Sequence, residues 1–363
     1  MFINPFKKAF GLDIGDRSIK IVQLKHRQLR QGYFTYELAH ASSFSLPEGL
    51  IENGEIIKPE EVLRLLKSHL EHKNINIKYC PWAVTSLPET KTFIHLVDIQ
   101  LSEPKERIND NDVYNVIPSY LPYEAHEIYL DWQEINPSSQ TLDHSVLLAS
   151  VPKKIADAYT YLLNIAGIRP LALEVEALPI TRAVINRQKD LTTQSRGILD
   201  LGATRSSFII YDHESIQFSL SLPMSGANIT EHIQKKLSLT WEEAEKIKKE
   251  CGFNKNKCPR ELTEALNEIT DELAKQISQA IQFYKIHFPN KNPLTGIRLC
   301  GGGANLFGLE SSLSAKLKIK IKKANPWVNI YPKGKEPMSE EESISYTTAV
   351  GLALRAIENP INL

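Results

Sequence analysis

Two stretches of the chain repeat the same order of apolar and polar positions. GLDIGDRSIKIV begins at Gly11, and ILDLGATRSSFII begins at Ile198. In each, an apolar run ends at an acid and a glycine, and apolar and polar residues alternate again after a polar turn. Alternation with a period of two is typical of strands, so each stretch predicts a β-hairpin with an acidic turn. The repeat predicts two related lobes, each of which begins with this hairpin.

Apolar residues at helical spacing predict the helices of both lobes. KPEEVLRLLKSHLEHKNI has an apolar stripe, a proline in its first turn and acids near its positive end. KKIADAYTYLLNIAGI ends at a glycine, which is favoured just past a helix. The stripe from Leu262 to Tyr284 predicts one long buried helix rather than a coiled-coil strand, and SYTTAVGLALRAIE predicts a final helix.

Two further stretches differ from these lobes. From Trp82 to about Val151 the chain is rich in Pro, Asn and Asp, and strand-like KTFIHLVDI and SVLLASV flank a short helical segment near Tyr114. This pattern predicts a small α+β insertion.

KLKIKIKK, from Lys316 to Lys323, alternates lysine with apolar residues, which favours a strand with one wet face over a phosphate-binding patch.

Composition limits the classes of function. Lysine and arginine number 43, and aspartate and glutamate also number 43, in a chain of 363 residues. This balance excludes a strongly basic nucleic-acid binder. The four cysteines have no CxxC spacing, so we expect free thiols. MFINPFKKAF lacks the apolar core of a signal peptide, and no segment approaches the ~20 apolar residues of a membrane span, so we expect a cytoplasmic protein.

The repeated acidic turns predict a site for a nucleoside triphosphate and magnesium. Asp13 and Asp200 each stand at a strand end, beside Gly15 and Gly202. Carboxylates hold magnesium, and glycine lets backbone N–H groups approach phosphates. If the related lobes face each other, both acids meet in one cleft. The side chains that could reach phosphate oxygens are Ser18, Lys20, Thr204 and Ser206.

A third turn, Gly301 to Gly303, follows the strand-like IRLC. It fails as a dinucleotide fingerprint, because Leu306 stands where the third glycine is required. It fits a glycine platform for adenine or ribose, with Asn305 opening the next helix. The alternative is a tight turn that serves close helix–strand packing.

These three turns, in this order, resemble the phosphate-1, phosphate-2 and adenosine motifs of the actin-like ATPase superfamily, which includes actin, sugar kinases and FtsA. Over nearly its whole length the chain resembles the PilM family of type IV pilus assembly. The insertion stretch, the N-P-W segment and the final helix are specific to that family. The matching stretches are LDIGDRSIK, VIPSYLPYEAHEIYLDW, LDLGATRSS, LCGGGANLFGL, ANPW and AVGLALRAI.

The resemblance implies an α/β fold: a two-lobed actin-like ATPase (RNase H-like) fold with a small α+β subdomain inserted in the first lobe. The first lobe would comprise residues 1–85, 155–185 and 344–363. The inserted subdomain would comprise residues 86–154. The second lobe, with the helices that clasp the nucleoside, would comprise residues 186–343.

The resemblance also assigns site residues, with ATP and Mg²⁺ as ligands. Asp13 and Asp200 would lie near the magnesium, and Glu176, in LEVEALPI, would orient an attacking water. Glu245 and Lys248, in AEKIK, would lie near the ribose or base, although an ordinary exposed helix pair explains them equally well. The remaining residues are Gly15, Ser18 and Lys20 on one side of the phosphates, Gly202, Ala203 and Thr204 on the other, and Gly302, Gly303 and Asn305 against the adenosine.

The first turn departs from the family pattern. Asp16 and Arg17 stand where the family usually has a small hydroxyl residue. A carboxylate beside a polyphosphate is repulsive unless magnesium or Arg17 neutralises it. The second turn has Ala203 and Thr204 in place of the extra glycine of strong kinases. We therefore expect ATP binding with weak or no hydrolysis, and at most a slow ATPase.

As a function, the resemblance implies a cytoplasmic ATP-binding scaffold of a type IV pilus or a related secretion or DNA-uptake machine. Its partner would be the N-terminal cytoplasmic peptide of a PilN-like inner-membrane protein, which would place it peripherally at that membrane. Other pilus-platform and motor proteins, and further copies of the chain, are also expected partners, but not nucleic acid.

Two alternatives share the fold. An FtsA-like filament former would end in a basic amphipathic membrane anchor, whereas this sequence ends at ENPINL soon after its final helix. A small-molecule kinase would need a catalytic aspartate in a recognisable substrate lobe, and no such motif stands out.

Overall fold

A computed structural model describes residues 5–6, 8–28, 34–72, 80–105, 108–121, 123–135, 141–187, 193–254, 259–288 and 291–358. The strands are β1 Phe10–Ile14, β2 Ser18–Gln28, β3 Phe34–Ser45, β4 Ile51–Glu52, β5 Glu55–Ile56, β6 Trp82–Leu87, β7 Phe93–Lys105, β8 Ile128–Ile135, β9 Thr141–Pro152, β10 Arg169–Val175, β11 Ser195–Leu201, β12 Ser206–Asp212, β13 Ser215–Leu222, β14 Leu294–Cys300 and β15 Ile321–Lys323. The helices are α1 Pro59–His72, α2 Asp110–Val116, α3 Lys153–Ile165, α4 Ala177–Val184, α5 Gly226–Leu237, α6 Trp241–Cys251, α7 Arg260–His287, α8 Leu309–Leu317, α9 Glu340–Ser345 and α10 Thr347–Glu358.

Both predicted hairpins are present. Strands β1 and β2 pair antiparallel with Asp13 opposite Lys20, and strands β11 and β12 pair antiparallel with Asp200 opposite Ser207. The first strand of each hairpin also pairs in parallel with a later strand, β1 with β6 and β11 with β14. The two lobes therefore share a core arrangement, and in each the acid lies near the carboxyl end of its first strand.

Two sheets organise the molecule. The first lobe contains a five-stranded sheet in the order β10-β6-β1-β2-β3, and the second contains an eight-stranded sheet in the order β15-β14-β11-β12-β13-β7-β9-β8. A small two-stranded sheet, β4-β5, precedes helix α1. Helices α4 and α10 share one buried apolar cluster with strand β2 and with the strands of the second lobe, so they join the two lobes.

The contact between α4 and α10 depends on a glycine. A Cβ atom added at Gly351 would lie 1.8 Å from the carbonyl oxygen of Pro179. No side chain fits in that space, so the small residues of AVGLALRAI allow α10 to pack directly on α4. The predicted final helix and the predicted long helix, α7, are both confirmed.

The α+β insertion forms its own small core but continues the second lobe's sheet. Strands β7, β8 and β9 and helix α2 enclose an apolar cluster that includes Val97, Val113 and Leu148. Strand β7 pairs with β13, with His95 opposite Phe218. The sheet therefore runs without interruption from β15 to β8. The domain boundaries given above stay a prediction.

Two expectations from the sequence are wrong. The alternating KLKIKIKK forms a strand only at its end, because α8 continues to Leu317 and Lys318 adopts a left-handed conformation with φ of 55°. Cys80 and Cys300 are free and buried, but Cys251 is in a disulfide, so the expectation of free thiols does not hold for all cysteines. Cys258 lies outside the described residues. The residues of ENPINL that follow Glu358 also lie outside them. Across the described part of the chain, no helix combines the length and the apolar character needed to cross a bilayer.

Candidate functional site: a polar cleft between the lobes

A polar cleft of about 210 Å³ lies where the turns of the two hairpins meet. Residues of the third glycine turn and of the segment leading into α10 complete its walls. Ten of the residues assigned from the sequence line it: Asp13, Gly15, Ser18, Lys20, Glu176, Asp200, Gly202, Ala203, Thr204 and Gly302. Glu245, Lys248, Gly303 and Asn305 are not among its lining residues.

The first turn holds a buried acid against a lysine. Asp13 is 7% exposed, and its Oδ2 atom lies 3.4 Å from the ammonium of Lys20, its partner in the hairpin register. The Ser86 hydroxyl donates to the other carboxylate oxygen over 3.5 Å. The Gly15 N–H donates to the Ser18 carbonyl and so closes the turn. Asp13 and Lys20 thus face the cleft from the two paired strands of this hairpin.

Asp16 has partners that the sequence did not predict. Arg17, which the sequence analysis named beside magnesium as a group that could neutralise it, instead forms an ion pair of 2.9 Å with Glu48. Asp16 is 4% exposed and binds across the cleft: the Thr204 hydroxyl donates to it over 2.8 Å, and Arg205 lies 3.4 Å away. The only local signal for Arg205 is the Arg-Ser pair that follows both turns, in GDRS and GATRS.

Helix α5 supports the second turn. The N–H groups of Gly226 and Ala227 donate to the carbonyls of Gly202 and Ala203 over 2.9 and 2.7 Å. A Cβ atom at Gly202 would lie 2.5 Å from the Arg205 carbonyl oxygen, so the turn requires glycine there. The first turn of α5 therefore holds the backbone of the second acidic turn in place.

Glu245 and Lys248 brace that helix. The Lys248 ammonium donates to the Gly226 carbonyl over 2.9 Å, and to Thr230 and Glu245 over 2.6 Å each. Although burial raises the pKa of Glu245, hydrogen bonds from Lys248 and Thr230 lower it to about 2. The pair lies behind the second turn, one layer removed from the cleft.

The third glycine turn joins the cleft to the segment before α10. Gly301 has a φ of 76°, which favours glycine, and its N–H donates to the Ile344 carbonyl. Gly302 faces open space, whereas Gly303 packs against Leu201. Asn305 does not open the next helix, because it ends the short 3₁₀ turn Gly302–Asn305 and α8 begins at Leu309; its side chain donates to the Glu341 carbonyl over 2.8 Å. Four wall residues from α9 and the start of α10 were not assigned by the sequence analysis: Ile344, Ser345, Thr347 and Thr348.

The floor of the cleft is acidic. Burial raises the pKa of Glu176 to about 8, with Arg205 opposing the change and Asp200 and Asp13 adding to it. Burial, with a contribution from Asp13, likewise raises the pKa of Asp200 to about 6. Burial raises the pKa of Glu89, just outside the cleft, to about 7. Such a concentration of carboxyl groups favours a ligand that brings positive charge.

Comparisons with known proteins agree with this architecture. A sequence model of the family described as type IV pilus assembly protein PilM matches residues 11–357. A solved structure described as the PilM–PilN type IV pilus biogenesis complex superposes with a TM-score of 0.82 at 22% identity, covering 98% of this chain and 100% of that one.

Two more distant structures share the fold. The ethanolamine utilization protein EutJ from Carboxydothermus hydrogenoformans has a TM-score of 0.55 at 14% identity, covering 95% of this chain and 89% of that one. MreB5 of Spiroplasma citri bound to ADP also has a TM-score of 0.55 at 14% identity, covering 97% and 99%. The two-lobed actin-like fold expected from the sequence is confirmed. Because the family model spans nearly the whole chain, the chain belongs to the family of type IV pilus assembly protein PilM.

Proposed function

We propose that the protein is a nucleotide-binding scaffold of a type IV pilus or of a related secretion or DNA-uptake machine. The single observation that carries this proposal is the match of the PilM family model to residues 11–357. The acidic cleft between two matched hairpins supports the nucleotide part. Neither an FtsA-like filament former nor a small-molecule kinase has a comparable observation in its favour.

ATP with magnesium fits the chemistry of the cleft. Asp13 and Asp200 line it together, and burial beside Asp13 raises the pKa of Asp200 to about 6. A divalent cation beside these side chains would favour the ionised form of Asp200. Among the described residues no His, Cys, Asp or Glu side chains form a cluster of three or more suited to a metal. Magnesium is commonly held through one or two carboxylates together with phosphates and water, and Asp13 and Asp200 would supply the two carboxylates.

The phosphates would lie between the two turns. Lys20 offers an ammonium from one side, and Ser18 and Thr204 offer hydroxyls. The N–H groups of Gly15 and Gly202 close their own turns, so these glycines serve by leaving room rather than by donating to phosphate. Gly302, which faces open space, would lie against the nucleoside.

Slow hydrolysis follows from the environment of Glu176. Before a cation binds, burial raises the pKa of Glu176 to about 8, and a protonated carboxyl group is a poor acceptor for a proton from water. Its Oε2 atom also accepts the Glu89 N–H over 3.4 Å. We infer that Glu176 orients a water weakly, and that the protein is at most a slow ATPase.

The partner would be a PilN-like inner-membrane protein. The supporting observation is the similarity, over 98% of the chain, to the structure described as a PilM–PilN complex. An extended N-terminal peptide of the partner, bound along a groove, is a common mode of recognition. Binding of this kind would hold the scaffold peripherally at the inner membrane, where other platform and motor proteins could reach it.

Two measurements test the proposal. Titration calorimetry with Mg·ATP should show binding by the wild type and loss of it in Asp200→Ala; equal binding by both would remove the site assignment. Fluorescence anisotropy with the labelled cytoplasmic peptide of the PilN-like protein from the same source should show saturable binding, and a scrambled peptide should not. Absence of peptide binding would contradict the scaffold role even if nucleotide binds.

A further inference from the structure

We propose that Asp16, Thr204 and Arg205 form a clasp across the cleft, and that the outer phosphates of a bound nucleoside triphosphate compete with the Asp16 carboxylate for Thr204 and Arg205. This inference rests on the proposed nucleotide site and concerns its regulation. The clasp would make the contact between the lobes depend on which nucleotide is bound.

The clasp joins turns from both lobes. The Oδ2 atom of Asp16 accepts the Thr204 hydroxyl over 2.8 Å. Its Oδ1 atom accepts the Gly54 N–H over 3.1 Å and lies 3.4 Å from the Arg205 guanidinium. Gly54 belongs to the first lobe, whereas Thr204 and Arg205 belong to the turn between β11 and β12. At 4% exposure, Asp16 is therefore held by donors on both sides of the cleft.

The Arg205 guanidinium has an unused hydrogen-bond donor. Its Nη1 atom is buried and has no hydrogen-bond partner among the described residues. Burial opposes the charge of this guanidinium, but Glu176, Asp16 and Asp13 together raise its pKa. A buried cation with an unused donor, on the wall of a cleft suited to polyphosphate, is a candidate ligand for a phosphate oxygen.

Thr204 cannot donate to Asp16 and to a phosphate at once, and Arg205 would have to share its charge between them. Thr204 has a single hydroxyl proton, and it is donated to Asp16. The Asp16 carboxylate, in the same cleft, repels an incoming polyphosphate. Phosphate binding that uses the Thr204 hydroxyl proton must therefore break its bond to Asp16, and this break loosens the contact between the two turns.

Because of its position, the clasp should respond to the outer phosphates of a bound nucleotide rather than to the nucleoside. Gly301 lies beside Asp200, since a Cβ atom there would be 2.7 Å from its Oδ1 atom. Gly302, Asp200, Asp16 and Thr204 line the same cleft, and in the proposed binding mode the nucleoside lies at Gly302 and the phosphates lie between the two acidic turns. With the nucleoside at the glycine turn, a triphosphate extends further toward the clasp than a diphosphate. Competition should therefore affect ATP more than ADP.

Titration calorimetry with Mg·ATP and Mg·ADP tests this, using wild type, Asp16→Asn, Arg205→Gln and Glu48→Gln. Asn keeps the shape of Asp16 and its capacity to accept from Gly54, but removes the charge. Glu48→Gln is the matched control, because it removes an exposed carboxylate paired with Arg17 next to the same turn. Thermal melts without nucleotide check that each variant folds.

Asp16→Asn should tighten ATP binding by about tenfold and change ADP binding by less than about threefold, and Glu48→Gln should change neither. Arg205→Gln should weaken ATP binding by about tenfold and ADP binding much less, which keeps the test available if Asp16→Asn does not fold. Equal changes for ATP and ADP, or weaker ATP binding by Asp16→Asn, would overturn the clasp and leave the nucleotide site standing. No nucleotide binding by any folded variant would overturn both.

Discussion

The backbone N–H of Glu89 donates a hydrogen bond of 3.4 Å to the Oε2 atom of Glu176, although 87 positions separate the two residues. Glu89 opens the turn between β6 and β7, and its side chain accepts the Ser219 hydroxyl of β13. The start of the inserted subdomain thus contacts both the floor of the cleft and the neighbouring strand of the second lobe.

Glu89→Gln should change the pH dependence of stability. The pKa of Glu89 is about 7 in the folded chain against an ordinary 4.5, mainly because of burial. Between these values the unfolded chain releases the proton first, so the wild type loses unfolding free energy as pH rises from about 4.5 to 7, by a total on the order of 3 kcal/mol. Above pH 7 this loss is complete.

Glu89→Gln cannot release this proton, so its free energy of unfolding relative to that of the wild type should increase between about pH 4.5 and 7. Urea unfolding of both proteins at pH 5, 6, 7 and 8 measures the difference. Glu48→Gln, which removes an exposed carboxylate, is the control. A difference between Glu89→Gln and wild type that stays the same at all four pH values would contradict the assignment.

Alanine substitutions at two neighbouring glycines of the third turn should affect different properties, stability at Gly303 and ATP binding at Gly302. A Cβ atom at Gly303 would lie 2.6 Å from the Leu201 side chain, so Gly303→Ala should lower the free energy of unfolding by about 1–3 kcal/mol. Nothing lies within 4 Å of a Cβ atom at Gly302, so Gly302→Ala should fold normally and weaken ATP binding instead. Urea unfolding and calorimetry separate the two effects; similar stability losses in both variants would be the contrary result.

Lys20→Met should weaken ATP binding by about tenfold or more, because the variant removes the ammonium opposite Asp13. Lys25→Met is the matched control: Lys25 lies on the same strand, is 58% exposed at its side chain and pairs with Glu37. The control should bind ATP as the wild type does. If ATP affinity falls equally in both variants, Lys20 acts only through its contribution to the net charge of the protein.

Glu174→Gln should be strongly destabilising. The Glu174 carboxylate accepts two hydrogen bonds of 2.7 Å from Arg182 and one of 2.5 Å from Arg355, and its side chain is 1% exposed. Removing one partner of a buried ion pair leaves uncompensated charge, at a cost of about 3–5 kcal/mol. Glu358→Gln, which breaks a more exposed pair with Arg187, should cost under about 1 kcal/mol. Urea unfolding measures both variants. Similar losses of unfolding free energy in the two would be evidence against a special stabilising role for the Glu174–Arg182–Arg355 cluster, which joins β10 to α4 and α10.

Much of the architecture follows from local patterns in the sequence. The period of two predicts both acidic hairpins, and the helical period predicts α1, α3, α7 and α10. These elements depend on which neighbouring side chains can share one buried face, and that information is local. The order of the three glycine turns likewise indicated the superfamily and many residues of the cleft, and the insertion stretch, the N-P-W segment and the final helix indicated the family.

Only the tertiary structure decided which groups meet across the cleft. Asp16 pairs with Arg205 rather than with its neighbour Arg17, because folding brings the distant turn of the second hairpin, with Thr204 and Arg205, beside it. Lys248 braces α5 rather than lining the cleft, and Gly303 serves packing while Gly302 faces the open site. Such roles depend on burial, distance and competition among distant partners, which no local period or spacing encodes.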